Sequence, residues 1–280
     1  ARLVRALNHG DYLNPLCTAK LVLGDRVVAV GEAEVVPGQG TPGQVLDRTE
    51  DSLTVACADG ALRLSQLTHL DGTAVSGTDL AQPVTLLSSE RAEALTSLGA
   101  QIAAADTFWR GRFARFSPVS LSGSGGDSNT ASVEFTWPDG LTTGQKADLV
   151  ARWAAQAAGE ESADIALSHA ALPDDPHILG WVPFRAGDDL ARIRDKGAVA
   201  ADIALRLPGL ASLSCPEIAF AVDGDEALAE ANLTVTARGA LHYDGARIAP
   251  ALAQLLANRL VAMAEAEARG EATPEMPEVE

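Results

Sequence analysis

Residues 51–64, "DSLTVACADGALRL", set Leu53, Val55 and Cys57 at every second position, meet Asp59-Gly60, and return through Leu62 and Leu64. A period of two lines one face of an extended strand with apolar side chains, and Asp-Gly supplies the left-handed pair of a two-residue turn. The spacing predicts a β-hairpin. No set of groups for catalysis is assembled within it, so its purpose has to be read from its surroundings.

On both sides of the hairpin the strand pattern continues. "KLVLGDRVVAVGEAEVV" places Gly24-Asp25 between two apolar strands, and "TPGQVLDRTE" leads into residues 51–64. Several short strands with tight glycine turns inside 80 residues predict a small open β-barrel. "SGTDL" then begins a connecting segment. From about Ser88 to Arg115 the period becomes helical, through alanine-rich runs ending in "DTFWRGRF", so a first domain is expected over residues 1–85.

Beyond it, "SLSGSGGDSNTA" holds four Ser and three Gly and reads as a flexible loop. The Lys and Ser/Thr of a phosphate-binding loop do not follow it. "ASVEFTW" reads as a strand ended by Pro138-Asp139-Gly140. A helix over "TTGQKADLVARWAAQAAGE" has Leu149, Val150, Trp153 and Ala157 on one face and a stop at Gly159. Strands at "ADIALSH" and "ILGWVPFR", a helix from Asp188 to about Arg206, strands at "EIAFAV" and "ANLTVTARGALHYDG", and a helix from about Ile248 to Ala268 complete the pattern. Alternation of this kind predicts an α/β sandwich over residues 86–268. The remainder, 269–280, includes "ATPEMPEVE" and reads as an exposed linker.

A length of 280 residues with 47% hydrophobic content suits two buried cores. The net charge of −17 opposes binding to a phosphate backbone unless basic residues cluster, and Arg110 with Arg112, or Arg192 with Arg194, form pairs rather than stripes. Cys17, Cys57 and Cys215 are odd in number and far apart, as free core thiols in a reducing compartment would be, and the cytoplasm is the expected location. No apolar run is long enough to span a bilayer, and no signal peptide is expected. "ARLVRAL" begins in what reads as mid-helix, and a segment of a longer protein is expected.

Three clusters invite a chemical reading. His242 and Asp244 stand in "HYDG" at a strand end, where Asp244-Gly245 reads as turn chemistry. Ser168, His169, Asp174, Asp175 and His177 crowd "SHAALPDDPH", but a triad is defined by geometry, no G-x-S-x-G elbow is present, and the H-x-x-x-H placement of two ligands on a helix is missing. The cluster reads as a solvated loop. Asn8, His9 and Asp11 beside Gly10 read as a helix-ending loop. Trp109, Trp153, Trp137 and Trp181 each stand in apolar periodicity and read as core.

Residues 2–80 resemble the C-terminal domain of methionyl-tRNA formyltransferases. "ARLVRALNHG" is similar to the helix and joint entering that domain, "GEAEVV" to its A-x-V strand, and "PGQVLDRTEDSLTVACADGALRLSQL" to its P-G-x-(V/I)-L segment and hairpin. The resemblance implies an open β-barrel related to the OB fold. That family's catalytic Asn, His and Asp lie in an N-terminal folate-binding domain, which these residues do not include. Its barrel is basic toward tRNA, whereas residues 1–80 here carry six Lys and Arg against ten Asp and Glu, a net of −4.

From residue 106 to about 266 the sequence is similar to the C-terminal half of a nonribosomal peptide synthetase condensation domain. "DTFWRGRFA" resembles its Y/F-W helix, "SVEFTWPDGLT" the strand before its second-lobe helix, "GWVPFRA" its N-x-L-P-L-R strand, and "LTVTARGALHYDGARIAPALAQLLANRLVAMAEA" its last strand pair and closing helix. The resemblance implies one lobe of a chloramphenicol-acetyltransferase-like fold. The family's H-H-x-x-x-D-G motif belongs to the other lobe, and no two adjacent histidines occur here.

The expectation is therefore an α+β chain of two domains, acting as a non-catalytic docking segment of a nonribosomal peptide synthetase. It positions a neighbouring adenylation domain, with a carrier domain as a further partner. No catalytic, cofactor-binding or metal-binding residue, no cofactor, and no nucleic-acid or membrane partner is expected. The alternatives are part of a formyl- or acyl-transferring enzyme, using His242 or His169 with a partner chain or completed by an N-terminal catalytic domain, and a tRNA-binding module.

Overall fold

The computed structural model describes residues 1–8, 18–23, 26–70, 72–80, 84, 87–121, 130–170, 172, 175–207 and 213–272. Expectations for His9, Gly10, Asp11, Cys17, Gly24-Asp25, the centre of the Ser/Gly loop, Asp174 and the tail from residue 273 fall outside them. The chain divides into two compact units. One comprises residues 1–106, 174–179 and 199–213, the other residues 107–173, 180–198 and 214–280.

In the first unit, helix α1 (Arg2–Leu7) precedes strands β1 (Lys20–Leu23), β2 (Arg26–Val36), β3 (Val45–Arg48), β4 (Ser52–Ala56) and β5 (Ala61–Thr68). They form an antiparallel sheet in the order β1-β2-β5-β4-β3. The sheet curls, because Val84 bridges to Leu23 at one edge and donates its N–H to the Gly43 carbonyl beside the other, at 3.2 Å. Leu23, Val28, Val30, Leu53, Val55, Leu64 and Leu67 fill the concave side. Each such side chain taken from water contributes about 1.5–3 kcal/mol.

The expected hairpin forms between β4 and β5, with Ala56 opposite Ala61. Its connection differs from the two-residue turn. Four residues, 57–60, separate the strands, and of these only Gly60 is left-handed, with φ of 78°. Loops longer than two residues need a single left-handed position, so Asp59 stays in ordinary backbone space. Farther along β5, Gln66 has φ of 52° opposite Gly31. A Cβ at Gly31 would lie 2.7 Å from the Gln66 Cβ, so the strands can pass here only because β2 lacks a side chain.

Helix α2 (Ser89–Phe113) contains the division between the units. In the second unit follow β6 (Thr130–Glu134), α3 (Thr143–Ala158), β7 (Asp164–Ser168), β8 (Val182–Arg185), α4 (Leu190–Lys196), β9 (Ile218–Ala221), β10 (Leu233–Thr236), β11 (Ala240–Asp244) and α5 (Pro250–Arg269). The sheet runs β6-β11-β10-β9-β7-β8, with β10, β9 and β7 parallel and the other pairs antiparallel. Parallel strands buried on both faces read as near-continuous apolar runs, as "IAFA" does, while "DIALS" and "LTVT" are as deeply buried but carry the polar Asp164, Thr234 and Thr236. Helices α3 and α5 pack on each other and on this sheet. The molecule is thus α+β, a curled antiparallel sheet followed by a mixed sheet layered with helices.

Helix α3 begins where Thr142 and Gln145 form a reciprocal capping box and stops where Gly159 turns left-handed at φ of 72°. Its apolar stripe, including Leu149, Val150 and Trp153, is buried as the spacing predicts. Trp109 and Trp181 are likewise buried, and Trp137 donates its indole N–H to the Thr236 carbonyl at 3.1 Å.

Three expected elements are shorter. The helix from Asp188 ends at Lys196, because Gly197 takes φ of 66°. Residues 199–201 instead exchange backbone hydrogen bonds with His177 and Leu179, and Ile203–Arg206 form a 3-10 turn. The strand in "ASVEFTW" is confined to Thr130–Glu134, and that in "ILGWVPFR" to Val182–Arg185, Ile178 making a separate bridge to Ala200.

Candidate functional site

Of the three clusters read from the sequence, the one around His242 is dispersed. His242 lies mid-strand in β11, opposite Thr234 and Ser132, and its Nε2 is buried with no hydrogen-bond partner among the described residues. Asp244 ends the strand and turns the chain by accepting the Ala246 N–H on its carboxylate at 2.9 Å. The turn is therefore as expected, but Gly245 is not among the left-handed glycines. The side chain of Asp244 shapes the turn, so no positive φ is required at Gly245.

The crowded segment at 168–177 is split between the two units. In the first, the Asp175 side chain is 3% exposed, and its carboxylate meets His177 Nδ1 at 2.7 Å and Arg91 Nη2 at 2.6 Å and accepts the His177 N–H. Burial would raise its pKa, but the hydrogen bonds from His177 and Arg91 outweigh it and hold the carboxyl below its ordinary value. A base engaged this way on a paired acid is a structural tie. Asn8, in the remaining cluster, donates its amide to the Gly31 carbonyl at 3.0 Å. No group of three or more His, Cys, Asp or Glu side chains is placed to hold a metal ion among the described residues.

His169 belongs to the second unit and is 6% exposed, and neither ring nitrogen has a hydrogen-bond partner among the described residues. It lines a crevice of about 500 Å³ together with Ser168, Ala221, Asp223, Asp225 and Glu226. The crevice lies just beyond the carboxyl ends of β7 and β9, where parallel strands deliver their loops. Burial, with Arg194 nearby, pushes the imidazole below its ordinary pKa despite the opposing charge of Asp223. The ring is therefore neutral at pH 7. A general base needs a partner to fix its tautomer, and among the described residues none is supplied.

The strongest electrostatic constellation was not anticipated. Asp164, fully buried at the start of β7, binds Arg112 Nη2 through Oδ1, and through Oδ2 accepts Arg185 Nη2 at 2.6 Å and the Ser117 N–H at 2.7 Å. Asp188 Oδ2 adds contacts to Arg112 Nη2 at 3.0 Å and the Arg185 N–H at 2.8 Å. The end of α2, β7 and β8 are thereby clasped together. Its signal was legible as the lone acid in the apolar run "ADIAL", since a charge buried among apolar residues must be paired.

Residues 1–84 match the formyl transferase C-terminal domain. Methionyl-tRNA formyltransferase of Pseudomonas entomophila (strain L48) is 40% identical over 79 residues, covering 28% of this chain and 24% of that protein. The enzyme of Pseudomonas syringae pv. tomato is 39% identical over 79 residues, covering 28% and 23%. The chain thus matches about a quarter of the length of these relatives. Among solved structures, the X-domain in its complex with OxyB from teicoplanin biosynthesis aligns over 81% of this chain and 73% of that chain, at 16% identity and a TM-score of 0.44. The starter condensation domain of rhizomide synthetase aligns over 82% and 71%, at 13% identity and a TM-score of 0.46. The nonribosomal peptide synthetase FmoA3 aligns over 81% and 34%, at 12% identity and a TM-score of 0.47.

Proposed function

We propose that this chain is a non-catalytic structural segment of a nonribosomal peptide synthetase that positions a neighbouring adenylation domain. One observation carries the reading. Two arginines of the condensation-type stretches are engaged in structure: Arg112 of "DTFWRGRFA" and Arg185 of "GWVPFRA" both bind the Asp164 carboxylate. "LTVTARGALHYDG" supplies β10 and β11, and the sequence after it supplies α5. Motifs used to hold a sheet and its helices together suit a scaffold. We also propose the domain division 1–85, 86–268 and 269–280, with the last as the linker toward the adenylation domain and a carrier domain as a further partner. The cytoplasm is the proposed location; among the described residues no helix is long and apolar enough to cross a membrane.

The experiment compares the adenylation domain alone with the same domain joined to residues 1–280. A domain interface within one chain typically buries about 600–1,500 Å². A higher melting temperature and inter-domain cross-links are expected in the joined protein. Equal melting temperatures together with no cross-links would end the docking reading.

The match over residues 1–84 favours a second reading, a part of a formyl-transferring enzyme completed by an N-terminal catalytic domain. Formyl transfer from formyl-tetrahydrofolate by a folate-binding catalytic domain joined to this chain, above that domain alone, would replace the first reading with this one, the chain by itself serving as the blank. No turnover is expected.

A further inference from the structure

We propose that the crevice beyond the carboxyl ends of β7 and β9 binds a small aliphatic ammonium ion. The proposal is independent of the docking reading. At about 500 Å³ the space is of small-molecule size, and its position between loops leaving adjacent parallel strands is where α/β sheets place ligands. Its charged lining is acidic throughout: Asp223, Asp225 and Glu226.

Two of these acids are partly engaged. Asp223 Oδ2 accepts from Arg194 at 3.2 Å and from the Ala170 N–H at 3.1 Å, and Asp225 Oδ2 accepts from Arg238 at 2.5 Å. Those contacts use one oxygen of each carboxylate and fix the loop after β9. Glu226 has no ion pair among the described residues, which leaves net negative charge facing the space. Ala170, Ala221, Ala227 and Leu228 supply a short apolar wall for an alkyl chain.

His169 supplies the second, independent feature. It is 94% buried against the crevice without a hydrogen-bond partner, and Arg194 on α4 and Asp223 after β9 are the charged groups that act on it. An uncharged ring beside a cation adds no positive charge to the two arginines that already engage Asp223 and Asp225, and leaves Glu226 unopposed. A protonated one would compete with the ligand. Ligand binding and protonation of His169 therefore oppose each other, and by linkage the bound cation lowers the histidine pKa further.

The probes are 1,4-diaminobutane and, at matched ionic strength, butyrate, followed by amide shifts of the full 280-residue chain at pH 7.5. The diamine is expected to move the amides of Ala170, Gly224 and Ala227 saturably, in the millimolar range, while butyrate leaves them in place. D225N/E226Q, both on the surface loop, should weaken the diamine by at least about fivefold. Lowering the pH to 5.5 should weaken it in the native chain and not in H169Q, whose fold is verified by its amide spectrum. Equal shifts from butyrate, diamine shifts scattered over the surface, unchanged affinity in D225N/E226Q, or the same pH dependence in H169Q would each overturn the proposal.

Discussion

At the scale of single residues, the fold depends most on Asp164. Its carboxylate is wholly buried and satisfied by two guanidinium groups and a backbone amide. Removing one member of a buried charge network leaves the others unpaired, which costs about 3–5 kcal/mol. Asp164→Asn should therefore lower stability by about that amount, read from urea unfolding. Gly31 gives a second test. Gly31→Ala should cost about 1–3 kcal/mol through collision with Gln66, and adding Gln66→Gly should recover most of it by removing both the obstructing side chain and the left-handed strain. His169 gives a third. Its folded pKa is depressed below the unfolded value near 6.5, so the unfolded chain takes up its proton first as pH falls. Stability should drop as pH falls through about 6.5 toward the folded value, and His169→Gln should flatten that slope.

At the scale of elements, strongly periodic segments with explicit stops were the legible ones. Helix α3 carried its apolar stripe and its Gly159 end in the sequence, and both appear in the structure, where Thr142 and Gln145 add a capping box at its start. Thr142→Ala should accordingly cost about 1 kcal/mol by freeing the capped amide, measurable by thermal unfolding. Helix α4 was overextended although Gly197 stood in plain view, because the apolar residues beyond it continued a helical period while serving a bridge between Ile178 and Ala200. A bridge between distant stretches has no local signature. The same reason hid the partners of the clasp: Asp164 stands out in "ADIAL", but Arg112 and Arg185 are brought to it only by the sheet. The crevice was half legible: His169 could be singled out as a histidine near acids, but the acids that line its space, Asp223, Asp225 and Glu226, come from a loop more than fifty residues away.

At the scale of the molecule, charge decides which partners are compatible with the matched barrel. A domain that holds tRNA must offset phosphate charge with clustered Lys and Arg, because most of the affinity comes from counterion release. Residues 1–80 carry a net of −4 and the chain −17. On the strands themselves Lys20, Arg26, Arg48 and Arg63 are nearly balanced by Glu32, Glu34 and Asp47. In the outer half of β2, Glu32 and Glu34 point away from the core, and Arg63 of β5 lies 3.4 Å from Glu34, an exposed pair that leaves little net field. Low salt would lengthen electrostatic reach to about 30 Å at 0.01 M, and the field so extended would be repulsive. The full chain should therefore show no retention of tRNA in a mobility-shift titration at 0.15 M salt, and lowering the salt should not produce it. A shift that strengthens steeply as salt is reduced, with micromolar affinity, would show that the barrel presents a basic face to nucleic acid despite its net charge, and the tRNA-binding alternative would then displace the scaffold reading for residues 1–84.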